Sequence, residues 1–232
     1  MRPLRARATL LLVDSLALAV VLACARPAES APPPPFVDVP AAAVCVTSGS
    51  VSKEGGHLHV MERGMRGFVS GDHSSEAELL FRYGAPAKKQ EPLANGEVRM
   101  QVGLKLRAKD TCNVVYVMWH FAPVQGVAVS VKYNPAMDTH SECGAMGYIN
   151  KKPRITGVAP YVENGSTHAL HARIQGSTLR VHADGVLVWE GDLGEAAFAF
   201  DGPVGVRTDN VDADLMLRIP RHFGAWRPCP LF

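Results

Sequence analysis

Alternating apolar and polar positions fill most of the chain after residue 36 and predict short β-strands. In Val98–Leu106 every second residue is apolar, which is typical of a strand with one buried face. We expect its other face to be solvated, with the residues Arg99, Gln101, Gly103 and Lys105. Asn113–Phe121 is apolar on both faces and predicts a central strand, and Gly126–Lys132 follows as its neighbour.

The last third of the chain carries the clearest short-range signals. Thr178–His182 and Val186–Glu190 flank Asp184-Gly185, and Asp-Gly between apolar runs predicts a hairpin with a tight primed turn. Thr167–Ile174 precedes the hairpin as a strand, and Ala213–Ile219 closes the sheet. Because the strands are short and turn residues separate them, the pattern predicts an all-β fold, an antiparallel two-sheet sandwich.

One long stretch, Asn134–Pro160, interrupts this pattern. It predicts an irregular connection, and connections of this length in a compact domain are usually functional or tied down. Cys143 lies within the stretch, so a disulfide at this residue would hold it in place.

Charge and length narrow the possible functions. The chain has 232 residues, of which 24 are basic and 22 acidic, and its formal net charge is +2. This near balance argues against bulk electrostatic binding of nucleic acid. The length suits one domain with a single core, which we expect to be monomeric.

The N-terminus reads as a targeting segment, with early arginines before the largely apolar run Thr9–Ala23. The run ends in Val21-Leu22-Ala23-Cys24, which resembles a bacterial lipobox and implies lipidation of Cys24 in the cell envelope. The alternative is an ordinary secretory signal cleaved near Ala31, which would give a periplasmic or secreted protein. We predict a signal peptide at 1–23, a lipidated cysteine and Pro-rich tether at 24–36, and a β-sandwich domain at 37–232.

Four cysteines follow Cys24, and an even number in an exported chain predicts two disulfides. Three connectivities are possible. We favour Cys45–Cys229, because the first and last strands of a β-sandwich often lie together. The remaining pair, Cys112–Cys143, brackets the two predicted central strands.

The order of motifs in the last third resembles a known family. The motifs are, in order, Arg173-Ile174-Gln175-Gly176, Leu179-Arg180-Val181, Asp184-Gly185 and Gly202-Pro203-Val204-Gly205-Val206-Arg207, followed by the terminal strand. This order is similar to the C-terminal half of concanavalin A-like lectin and glucanase sandwiches, including laminin G-like domains. It is distantly similar to 3-keto-disaccharide hydrolase-like domains, which share the late Gly-Pro-x-Gly element. The resemblance implies a jelly-roll sandwich.

The acidic residues give little support to catalysis. Retaining glucanases need two carboxylates about 5–5.5 Å apart on either side of the scissile bond, and no strand carries the corresponding motif. Asp209, Asp212 and Asp214 cluster near the final strand, where turn formation and a solvated strand face explain them. The alternative for this cluster is a Ca²⁺ site. We predict no other metal or cofactor.

Aromatic and polar residues on the predicted central strands point instead to ligand binding. Tyr116 and His120 share one face of Asn113–Phe121, and such side chains could line a groove for a sugar. The alternative is that both are packed core residues. The full set of candidate ligand-binding residues, which includes two on the loop held by Cys143, is Tyr116, His120, Lys132, Asn134, His140 and Glu142.

We therefore expect an envelope protein, held at the membrane through Cys24, that binds a glycan or another envelope ligand without catalysis. Two alternatives remain open. One is a glycoside-active enzyme related to the 3-keto-disaccharide hydrolases, and the other is a structural or protein-interaction domain.

Overall fold

The computed structural model describes residues 35–220 and 226–229, which are mostly β-structure. The strands are β1 (Phe36–Asp38), β2 (Val44–Ser48), β3 (Ser52–Glu54), β4 (His57–Val60), β5 (Gly64–Val69), β6 (Glu76–Pro86), β7 (Met100–Leu106), β8 (Val114–Ala122), β9 (Gly126–Lys132), β10 (Tyr148–Lys151), β11 (Ile155–Thr156), β12 (Thr167–Gln175), β13 (Thr178–Ala183), β14 (Val186–Asp192), β15 (Gly205–Asp209) and β16 (Val211–Pro220). Helical structure in these residues comprises α1 (His140–Cys143) and two 3₁₀ helices, Ala41–Ala43 and Glu195–Phe198. The predicted signal peptide, Cys24 and the tether up to residue 34 lie outside the described residues.

The strands form two antiparallel sheets. The nine-stranded sheet has the order β11-β14-β13-β12-β6-β16-β4-β3, and β1 also pairs with β16. The seven-stranded sheet has the order β10-β9-β8-β7-β15-β5-β2. The predicted all-β, two-sheet antiparallel sandwich is therefore confirmed. No helix within residues 35–220 or 226–229 is both long and apolar enough to cross a membrane.

The core fills the space between the sheets. Phe81 of β6 meets Trp119 of β8 edge to face, with ring centroids 5.5 Å apart. Val115, Val117 and Trp119 lie on the inner face of β8, as the alternation predicts, and all three are fully buried. Burying apolar side chains of this kind contributes roughly 1.5–3 kcal/mol each.

The outer face of β7 differs from its prediction. We expected this face to be solvated, but Gln101 is only 2% exposed and Lys105 only 4%. The reason is the position of β7 in the middle of the seven-stranded sheet, between β8 and β15. Side chains of both neighbours flank β7 on this face, among them Tyr116 and Arg207.

The predicted hairpin joins β13 and β14. Asp184 and Gly185 have φ values of 49° and 79°, the two positive angles that a type I′ turn requires. The Asp184 carboxylate also supports the sheet, because it accepts hydrogen bonds from the Ala169 N–H and from His168 Nδ1, at 2.8 and 2.7 Å.

Two disulfides close the structure, with the pairing that the sequence favoured. Cys45 is bonded to Cys229, and Cys112 is bonded to Cys143. Two disulfides are typical of exported proteins, because reducing compartments keep thiols free. The second bond anchors the stretch 134–160, whose prediction as irregular was wrong in part: it contains α1, β10 and β11. The sequence pattern did not predict β10, because this edge strand is exposed on both faces and does not alternate apolar with polar residues.

We predict that Asp184→Ala lowers the free energy of unfolding by about 2–4 kcal/mol, since alanine disfavours positive φ and leaves His168 and the Ala169 N–H without their acceptor. Urea denaturation measures the change. The matched control is Asp201→Ala, which removes an exposed carboxylate 3.4 Å from Arg107 and should change stability by less than about 1 kcal/mol. Equal losses in both variants would contradict the assigned role.

Candidate functional site

An open cleft of about 920 Å³ lies against the outer face of the seven-stranded sheet. Part of its wall is formed by residues 48–50, 62–63 and 91–95, together with His140, Gly144 and Ala145 beside α1. The central side chains of the floor and wall are Arg66, Gln101, Tyr116, His120, Tyr148, Arg207 and Asp209.

Strand register places these side chains on one surface. In a strand alternate residues face the same side, so Tyr116, Met118 and His120 of β8 all reach the cleft. Across the sheet, His120 pairs with Gln101 of β7, and Gln101 pairs with Asp209 of β15. The result is a polar row across three central strands.

The Asp209 carboxylate is the hub of the floor. It accepts hydrogen bonds from Arg66 Nη2 at 3.0 Å, from Arg207 Nε at 2.8 Å and from Gln101 Nε2 at 2.6 Å. Both Asp209 and Arg207 are buried. Charge-assisted bonds of this kind are stronger than neutral ones and fix the side chains of three adjacent strands.

Two tyrosines form an aromatic wall. Tyr116 and Tyr148 stack with ring centroids 6.0 Å apart and planes 21° apart. The Arg207 guanidinium lies 4.9 Å from the Tyr116 centroid, and Lys132 Nζ lies 5.3 Å from that of Tyr148. Burial raises the pKa of Tyr116 to about 12, so its hydroxyl stays protonated at neutral pH. Tyr148, in contrast, is 42% exposed and presents its ring to the cleft.

His120 is available to a ligand. Within the described part of the chain, its imidazole has no hydrogen-bond partner, although the side chain is only partly exposed. Burial, and secondarily the nearby Arg99, lowers the pKa of His120 to about 4. The ring is therefore neutral at pH 7, with one nitrogen that donates and one that accepts.

The structure brings three of the six candidate residues to the cleft, namely Tyr116, His120 and His140. The other three hold the loop around α1. Lys132 Nζ donates to the carbonyls of Thr111 and Gly144, at 3.1 and 2.7 Å. Asn134 Nδ2 donates to the carbonyls of Cys112 and Met146.

Glu142 has a capping role at α1. Its carboxylate accepts hydrogen bonds from the Thr139 hydroxyl at 2.7 Å and from the Thr139 N–H at 3.0 Å. These bonds lower the pKa of Glu142 to about 2, so that it remains ionised at neutral pH. The residue thus completes a capping box at the helix start.

Several cleft residues were not among the six candidate ligand-binding residues: Arg66, Gln101, Tyr148, Asn150, Arg207 and Asp209. The alternation of β7 places Gln101 on a face that the sequence predicts to be solvated. Arg207 and Asp209 stand two residues apart on β15, a spacing that places both on one face of a strand. Two opposite charges with this spacing on a central strand are the signal from which the cleft floor could have been predicted.

The Asp209, Asp212 and Asp214 cluster does not converge on a cation. Asp209 lies on β15 of the seven-stranded sheet, whereas the other two lie on β16 of the nine-stranded sheet. Asp214 pairs with His59 Nδ1 at 2.7 Å. No group of three or more His, Cys, Asp or Glu residues in the described ranges has the arrangement of a metal site.

A separate Ser–His–Asp chain lies in the nine-stranded sheet. His168 Nε2 is 2.7 Å from Ser166 Oγ, and His168 Nδ1 is 2.7 Å from Asp184 Oδ2. The Ser166 hydroxyl, however, also lies 2.5 Å from the Glu163 carbonyl and accepts the Glu163 N–H at 3.1 Å. The hydroxyl is thus engaged within its own turn, and we assign the network to stability of the sheet.

Comparison with solved structures identifies the fold. A carbohydrate-binding module from Bacillus subtilis matches with a TM-score of 0.50 and 10% identity, over 75% of this chain and 91% of that one. The fold is concanavalin A-like. The Emp46p carbohydrate recognition domain matches with a TM-score of 0.48 and 6% identity, over 76% and 87%. A family GH16 endo-β-1,3(4)-glucanase gives 0.43 and 13%, over 74% and 75%. No family model and no curated protein sequence matches the chain.

The cleft wall beside α1 should depend on the Cys112–Cys143 bond. We predict that Cys112→Ser/Cys143→Ser costs about 4 kcal/mol of stability, because the bond closes a loop between residues 31 apart. Hydrogen exchange of residues 138–147 should accelerate as well. The control, Cys45→Ser/Cys229→Ser, removes a bond across 184 residues and should destabilise at least as much without selective exchange in 138–147. Unchanged exchange in the first variant would refute the bracing role.

Proposed function

We propose that this protein binds a glycan in the cleft without catalysis. The observation that carries the proposal is one open cleft that holds the exposed Tyr148 ring, the amide of Asn150 and the His120 imidazole, which has no partner among the described residues. Sugar rings present apolar C–H faces that pack on aromatic rings, while planar polar side chains hydrogen-bond their hydroxyls. The concanavalin A-like fold, seen also in a carbohydrate-binding module, supports this function.

The state of the cleft acids supports binding rather than hydrolysis. The carboxylates that line the described cleft are Glu62, Glu91 and Asp209. Asp209 accepts three strong hydrogen bonds, Glu91 pairs with Arg63, and Glu62 accepts from the Ser50 hydroxyl. Glycoside hydrolysis requires one carboxylic acid with a proton to donate and a second carboxylate. All three cleft carboxylates are instead engaged by donors of the protein itself.

The binding proposal predicts that Tyr148→Ala and His120→Ala each weaken glycan binding about tenfold, since each removes a stacking face or a hydrogen-bonding ring worth roughly 1–1.5 kcal/mol. Affinity electrophoresis on a panel of soluble polysaccharides measures this effect. The matched control is Tyr161→Ala, because Tyr161 is 70% exposed and does not line the cleft.

Equal retardation of all three variants on the polysaccharide that slows the unmodified protein would place the binding surface elsewhere. Release of reducing or keto sugar during the same incubations would instead favour the glycoside-active alternative.

We also propose that lipid on Cys24 tethers the domain to a bacterial envelope membrane. Two or more acyl chains anchor a protein stably, where a single chain does not. The Pro-rich tether after Cys24 would then hold the cleft clear of the headgroups. Mass spectrometry of the mature N-terminus should find acylated Cys24, and an unmodified start near Ala31 would exclude the anchor.

A further inference from the structure

The cleft floor carries more positive charge than its carboxylates balance. Arg66 and Arg207 share the single carboxylate of Asp209. Lys105 and Lys132 lie close enough to both arginines for mutual repulsion to lower the pKa of each ammonium further, in addition to the effect of burial. Two aromatic rings and several carbonyls surround these groups, but neither neutralises charge.

Lys105 is the least satisfied of these cations. It lies on β7 between Tyr116 and Gly205, and it is only 4% exposed. Among residues 35–220 and 226–229, the Lys105 ammonium has no hydrogen bond and no salt bridge. A buried cation without a bonded anion is unfavourable, and such groups usually have a partner.

The carboxylate that attracts Lys105 already accepts hydrogen bonds from its own turn. Asp110 attracts Lys105 electrostatically. Its Oδ1 accepts hydrogen bonds from the N–H groups of Cys112 and Asn113, both at 2.7 Å, and the Asn113 amide donates to both carboxylate oxygens at 3.0 Å. Asp110 is thus engaged in its own turn. Four cations on and beside the floor therefore face two carboxylates, and neither carboxylate is bonded to Lys105 or Lys132.

Charges at the rim lower this excess from two positive charges to one. Arg63 pairs with Glu91, and Arg99 pairs with Glu97, so these contacts are neutral overall. Glu62 adds one rim carboxylate, which accepts from Ser50. One net positive charge therefore remains on and beside the floor.

Arg66 is the cation of this group that a ligand in the cleft can contact. Its side chain is 30% exposed and lines the cleft, and one of its terminal nitrogens bonds Asp209. The remaining N–H groups of a guanidinium can hold a carboxylate or a sulfate in a bidentate arrangement.

Resting on the glycan-binding function proposed above, we propose that the cleft selects an acidic glycan, whose carboxylate or sulfate group binds Arg66 near the uncompensated cations on and beside the floor. The anion would supply the counter-charge that Asp209 and Asp110 do not provide.

The test compares polymers that differ only in charge. Polygalacturonate is paired with its fully methyl-esterified form, and dextran sulfate is paired with dextran, all at one ionic strength. We expect at least tenfold tighter binding of an acidic polymer than of its neutral counterpart. Preference within the polygalacturonate pair alone identifies a carboxylate ligand, and preference within the dextran pair alone identifies a sulfate ligand.

Arg66→Gln should remove this preference by lowering the affinity for the acidic polymer to that for its neutral counterpart. The matched control, Arg82→Gln, removes an exposed positive charge from β6 of the other sheet and should change affinity less than twofold. Equal binding of acidic and neutral polymers would overturn the acidic selectivity and leave the glycan-binding function intact. Absence of binding to all four polymers would count against both.

A second measurement tests the role of Lys105 through the pH dependence of binding. Burial and the neighbouring Arg66 and Arg207 lower the pKa of Lys105 to about 8. The groups that face it are these two arginines, Asp110 and Tyr116, and the pKa of Tyr116 lies near 12. A bound anion favours the charged ammonium, so affinity for the acidic polymer should fall as the pH rises from 7 to 9, with proton uptake on binding near pH 8.

Lys105→Met should abolish this pH dependence, provided that its circular dichroism spectrum matches that of the parent protein. If the variant does not fold, calorimetry of the unmodified protein in buffers of different ionisation enthalpy still measures the proton uptake. An affinity that stays constant from pH 7 to 9, without proton uptake, would contradict a role for Lys105.

Discussion

The Asp209 carboxylate is the interaction on which the outer face of the seven-stranded sheet depends. A guanidinium as buried as that of Arg207 is tolerated only with a bonded anion, and Asp209 provides this anion from the same strand. It also reaches Arg66 on β5 and Gln101 on β7. One side chain thus fixes the polar surface of three strands, and the tyrosines and His120 are arranged around it.

The sequence was informative where structure is set locally. The Asp184-Gly185 turn was predictable because positive φ restricts the residues that can occupy it. The inner face of β8 was predictable from its alternation of large apolar residues. Tyr116 and His120 were assigned to the opposite face for the same reason, and both line the cleft.

The features that the sequence could not predict are those that depend on which strands become neighbours. The polar face of β7 looks the same in sequence whether it meets water or the side chains of β8 and β15, so its burial was missed. Tyr148 was missed because β10 exists only through its pairing with β9, far from any local signal. The floor charges of Arg66 and Asp209 come together from positions 143 residues apart.

The bond between Cys112 and Cys143 determines when the cleft wall loses its conformational entropy. In a wall without this cross-link, the segment bearing His140 and Gly144 would lose conformational freedom each time a ligand entered. With the cross-link, most of that freedom is lost once, when the protein oxidises and folds. The order of this part of the cleft wall is then set when the disulfide forms, before anything enters the cleft.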